Sequence, residues 1–124
     1  MTPTVEEVLS VDREYRRKAA RGDLPLITPR RFNPAHEAWL PVLHTTRGDR
    51  RYTALFSNTA RAHEFGRTHD WVVLYVDGGR PETQCTVITA RRGVLKGRRV
   101  VRGREVECGG YYAERGALAD TATF

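Results

Sequence analysis

Apolar residues recur at helical spacing near the start of the chain, at Val5, Val8, Leu9, Tyr15 and Ala19, with polar and charged residues between them. Thr4 followed by Glu7 has the form of a capping box and Gly22 that of a stop signal, so the pattern predicts a helix running to about Arg21. Its polar side carries Arg13, Arg16, Arg17, Lys18 and Arg21, and cations in the last turns complement the helix dipole. The periodicity breaks in "LPLITPRRFNP". There Pro25, Pro29 and Pro34 predict a connector over residues 23–38, between a helical segment over 1–22 and a core over 39–116. The connector is either draped over the domain and pinned by Leu26, Ile27 and Phe32, or a linker that leaves the first helix detachable.

Shorter periods follow. Trp39 to Thr45 reads as a strand, with Pro41 favouring an edge position. "TRGDR" reads as a turn, and Arg51 to Phe56 returns with Tyr52, Ala54 and Phe56 on one face. "SNTARAHEFGRTHDW" predicts a short helix capped by Ser57 or Asn58 and ended by Gly66. "WVVLYV" is continuously apolar, as a central strand covered on both faces should be. "DGGRPE" turns the chain, and Thr83 to Ala90 returns with Cys85 and Val87 opposite Ile88. Arg98 to Arg102 forms a shorter strand, "REVECGGYYAER" is helical except for Gly109 and Gly110, and residues 117–124 read as a frayed tail. The order predicts one α+β domain: a small, mainly antiparallel sheet of four to five strands, an N-terminal helix and a short helix between hairpins.

Composition narrows the function classes. The 124 residues are 40% hydrophobic and 29% charged, ordinary for one globular domain. No apolar run reaches the length of a membrane span and the N-terminus lacks a secretory pattern, so the expectation is a cytoplasmic protein without a membrane partner. Cys85 and Cys108 lack metal-ligand spacing and fit small core side chains. The formal net charge of +6 points to an anionic partner: nucleic acid first, then a nucleotide or an acidic protein. Arginine outnumbers lysine 19 to 2, which codon bias in a GC-rich genome would also produce, although the guanidinium fork suits phosphate well.

The basic residues concentrate in "RRGVLKGRRVVRGRE", where Arg91, Arg92, Lys96, Arg98, Arg99, Arg102 and Arg104 precede any acid. With Arg50 and Arg51, they form the expected contact set for a DNA or RNA backbone, read without base specificity. A basic edge strand that discourages aggregation accounts for the same residues. Arg30 and Arg31 beside Phe32, and Arg51 beside Tyr52, could stack on unpaired bases, although core roles for both rings are the simpler reading. Ser57 and Asn58 at a helix start, with Arg61, form a candidate anion site that capping alone also explains. His44, His63, Glu64 and His69 are the candidate acid–base groups, but they make no recognised motif. No metal or cofactor site is expected. Both Arg-Gly-Asp triplets, at 21–23 and 47–49, read as a helix stop and a hairpin turn.

From about Leu24 to Tyr112 the segments "PRRFNP", "EAWLPVLHT", "YTALFSNTARAHEFGRT", "DWVVLY", "QCTV" and "GRRVVRGREVEC" carry a resemblance. They resemble the C-terminal region of bacterial helix-hairpin-helix DNA-binding proteins, relatives of family X DNA polymerases. The resemblance implies association with DNA or its repair, with no catalytic residue attached. The chain contains no helix-hairpin-helix of its own, which admits a second implication: a nucleotide-binding or protein-interaction module of a larger DNA-binding protein. The leading expectation is a nucleic-acid-associated accessory domain. Its alternatives are a small phosphoester-processing enzyme or nuclease, and a protein-interaction module.

Overall fold

The hydroxyl of Thr4 accepts from the Glu7 N–H at 3.1 Å and starts helix α1 (Val5–Arg21), which Gly22 ends in the left-handed region at φ 73°. The computed structural model describes residues 2–77 and 84–116. Among these described residues six strands follow one another: β1 (Leu26–Ile27), β2 (Leu40–Arg47), β3 (Arg50–Phe56), β4 (Val72–Val76), β5 (Gln84–Thr89) and β6 (Arg99–Val101). Each pairs antiparallel with its neighbours in chain order, giving one meandering sheet. Helix α2 (Ala60–Glu64) joins β3 to β4, and α3 (Glu105–Glu114) follows β6. The domain is α+β. No helix among the described residues is long and apolar enough to cross a membrane.

Strand alternation determines which side chains form the core. Tyr52, Ala54 and Phe56 of β3 and Val72, Leu74 and Val76 of β4 point to one side, joined by Val87 and Val101. α1 lies across that side with Val5, Val8, Leu9, Val11 and Tyr15 buried, and Cys108 of α3 closes the end over β6. Each fully buried aliphatic side chain stabilises the fold by roughly 1.5–3 kcal/mol. Tyr15 is wholly buried yet satisfied: its hydroxyl donates to the Pro41 carbonyl at 2.8 Å and accepts from the Phe56 N–H at 2.9 Å. α1 is therefore part of the core, not a detachable element.

Several expectations need correction. The connector contains β1, which makes the sheet six-stranded and places β2 between two neighbours; Pro41 is tolerated at its start, opposite Leu26. Leu26, Ile27 and Phe32 are exposed by 53%, 44% and 46%, so they do not pin the connector. Asn33 does: it is 7% exposed, donates to the carbonyls of Pro29 and Glu37, and accepts from the Glu37 N–H. Thr59, not Ser57 or Asn58, caps α2 by accepting from the Ala62 N–H at 3.2 Å. Gly109 and Gly110 do not interrupt α3. Gly48 turns the β2–β3 hairpin at φ 58°, as the sequence predicts. The expected turn over 77–82 falls almost wholly, and the tail over 117–124 entirely, outside the described residues.

Candidate nucleic-acid interface

The two sides of the sheet differ in charge. No residue of the six strands is acidic, whereas α1 and α3 carry Glu6, Glu7, Asp12, Glu14, Glu105, Glu107 and Glu114. Cations facing the helices are met by these carboxylates. Arg47 pairs with Glu14 at 2.9 Å, Arg50 with Glu7 at 2.7 Å and Arg104 with Glu107 at 2.6 Å. Arg99 donates to both oxygens of the fully buried Asp12 and to Asp70 at 3.0 Å. Burial pushes the Glu7 carboxyl up, but hydrogen bonds from Arg50 and Tyr52 outweigh it and hold it below the ordinary carboxylate range. Burial also opposes ionisation of Glu14, and hydrogen bonds from Lys18, Arg47 and Thr45 overcome it, holding the group at about 2.

The other side, here the outer face, is covered by neither α1 nor α3. Residues paired across an antiparallel ladder share a face. His44, Thr53, Tyr75 and Gln84 therefore form one row, and Val42, Leu55, Val73 and Thr86 the next. Arg51 flanks the first row. Arg102 extends the second, its N–H bonded to the Thr86 carbonyl at 2.9 Å. Both arginines are exposed and, among the described residues, neither makes an ion pair. The Asp77 carboxylate at the rim accepts from the Arg51 backbone N–H at 2.9 Å. A groove of about 350 Å³ separates the connector from this face, lined by Ile27, Arg30, Arg31, Leu55, Val73 and Tyr75.

Aromatic rings and guanidinium groups alternate at the end of the sheet where β3 leaves and β4 enters. The Arg61 Cζ lies 5.7 Å from the Phe65 ring centre, Phe65 and Trp71 are 6.3 Å apart, and the Arg102 Cζ is 5.9 Å from Trp71. A second stack places the Arg31 Cζ 5.7 Å from the Phe32 ring, which lies 4.6 Å from His63. Phe32 adopts φ 54°, a left-handed backbone that costs a non-glycine residue of order 1–2 kcal/mol.

Comparison with protein-family models, curated proteins and solved structures gives no match.

The basic band from Arg91 to Arg104 is divided by the fold. Arg91, Arg92 and Lys96 are exposed in the β5–β6 turn, and Arg102 faces outward. Arg98 lies over the Tyr112 ring at 5.5 Å, while Arg99 and Arg104, like Arg50, are bound to carboxylates within the fold. The expected anion site is also consumed locally. Ser57 is 4% exposed and bonded to Thr59, Asn58 to His63 and the Arg31 carbonyl, and Arg61 lies over Phe65. α2 is only five residues long, too short to offer an anion site of its own.

No hydrogen bond among the described residues joins any two of His44, His63, Glu64 and His69. His44 bonds Thr53, His63 bonds Asn58, and His69 bonds Thr68 and packs on Trp39 and Phe56. No cluster of described His, Cys, Asp or Glu residues could hold a metal ion. Cys85 and Cys108 are free thiols, both pushed up by burial. A larger cavity of about 960 Å³ is lined by Pro3, Arg50, Val76, Cys85, Arg102 and Arg104. Two of its three arginines are already committed to Glu7 and Glu107. Phe65 and Trp71, which join the ring and guanidinium cluster at this end of the sheet, are the residues that sequence reasoning missed. The i, i+4 spacing of Arg61 and Phe65 was the available signal.

Proposed function

We propose that the outer face binds the phosphate backbone of nucleic acid without strong base preference, through Arg51 and Arg102 with Arg30, Arg31 and Arg61 around them. Arg91, Arg92 and Lys96 extend the positive surface at the same end of the sheet as α2. The supporting observation is the segregation of charge. Helix-side arginines are met by carboxylates, whereas Arg51 in β3 and Arg102 just past β6 face outward beside strands that carry no acid. Such a surface gains affinity by releasing counterions from phosphates. The DNA-repair setting implied by the sequence resemblance belongs to the same proposal, as does a role as an accessory domain in the cytoplasm.

The test is fluorescence anisotropy with labelled DNA and RNA over a range of salt. Binding is expected to be micromolar at low salt. Charge reversal at Arg51 and Arg102 should reduce the slope of log affinity against log salt by about 2. Reversal at Arg17 and Arg21, exposed on α1, is the control. Equal losses from both pairs would reduce the interaction to unspecific attraction and remove the outer face from the account.

A further inference from the structure

We propose that this interface takes single-stranded nucleic acid, with Phe65 and Phe32 as the rings on which unpaired bases stack. The inference rests on the backbone-binding reading above and adds the strandedness of the ligand. Phe65 is 52% exposed and Phe32 46%, although each is held in a defined aromatic cluster. A duplex offers a protein its phosphates and base edges, while its base faces are covered by neighbouring bases. A phenyl ring has no useful contact with phosphate. It does have one with the face of an unpaired base, and every base has such a face.

The neighbours of the rings suit the same ligand. Arg61 and Trp71 both neighbour Phe65, and Arg102 neighbours Trp71 in turn. A strand stacked on Phe65 thus has the Arg61 guanidinium close to its phosphates, with that of Arg102 beyond Trp71. Phe32 is placed alike: His63 supports it, with its Nε2 2.6 Å from Asn58 Oδ1, and Arg31 lies over the ring. α2 connects the clusters by supplying Arg61 and His63 and ending at Phe65. The groove between Arg31 and Tyr75 continues from the Phe32 cluster onto the sheet.

The experiment uses the Trp39→Phe protein, in which Trp71 is the remaining tryptophan of two. It is titrated with oligothymidylate, oligouridylate and a blunt DNA duplex at one salt concentration. Single strands should quench Trp71 and bind about tenfold or more tightly than the duplex. Phe65→Ala and Phe32→Ala should each weaken single-strand binding about 5–100-fold and leave duplex binding within about twofold. Phe65→Leu, which keeps apolar bulk without the ring, should behave like Phe65→Ala. If a variant fails to fold, the Trp71 signal and the strand preference of the otherwise unaltered protein still decide. Equal binding of single strand and duplex without quenching overturns the stacking inference and leaves backbone binding standing. Binding to none of the three, at low salt, overturns both, and capture of a protein ligand by the same face would replace them.

Discussion

Arg99→Met separates an arginine that holds the fold from those available to a ligand. Asp12 has no exposed surface, and its carboxylate is bonded by Arg99 through both oxygens and by Arg16 at 2.9 Å. The Arg99 side chain is 13% exposed, whereas that of Arg16 is 38% exposed and screened by water. Removing Arg99 leaves a buried carboxylate with one half-exposed partner. Breaking a buried pair from one side costs about 3–5 kcal/mol, and the surviving Arg16 contact places this case near 3. For a chain of 124 residues that is a fall in melting temperature of roughly 10–15 °C. Circular dichroism on heating and urea titration measure the loss, with Asp12→Asn and the double variant completing a cycle. The double variant should recover part of the loss, with a coupling above about 1 kcal/mol. Coupling below about 0.5 kcal/mol would refute the assignment of the stability to this pair. Folded Arg99→Met protein should bind nucleic acid like the unaltered protein, and Arg102→Met should lose binding with stability changed by less than about 1 kcal/mol.

Acid titration tests Glu14, held at about 2 against an ordinary 4.5. Its contribution is complete above about pH 4.5 and is lost as pH falls towards 2, so the unfolding free energy from urea titration should fall through that window by roughly 1–2 kcal/mol more than in Glu14→Gln; parallel curves would refute it. Tyr15→Phe should cost about 1–3 kcal/mol by denaturant titration, because the Pro41 carbonyl and Phe56 N–H lose their buried partner. Thr59→Ala should cost about 1 kcal/mol in the same assay and Thr59→Ser much less, since only the hydroxyl caps α2.

The meander was legible because each hairpin announces itself: alternating positions in β3 and a continuous apolar run in β4 leave little freedom of face. β1 was not, since two exposed residues between prolines carry no periodicity. The cap of α2 was degenerate, with Ser57, Asn58 and Thr59 all good capping residues in succession. The division of the basic band was hidden for two reasons. In "RRVVR" both phases of the alternation contain a valine and an arginine, and both Val100 and Val101 are buried, so the pattern alone does not say which arginine turns inward. The acid that decides it, Asp12, lies 87 residues away. The charge of the chain could be read directly; which part of it is already neutralised required the fold.

Every strand pairs with its neighbour along the chain, but α1 is made first and the partner of its buried Asp12 comes from β6. At about 5–20 residues per second, the 87 residues between Asp12 and Arg99 take about 4–17 s to synthesise. β4 ends at Val76, so α1 has its apolar seat on β3 and β4 only for the last 23 of those residues, about 1–5 s, while Asp12 has Arg16 alone. Before β6 is made, α1 can be held on the sheet by apolar contact and by the Glu14–Arg47 and Glu7–Arg50 pairs. What it lacks until Arg99 is made is the main partner of its one fully buried carboxylate, Asp12.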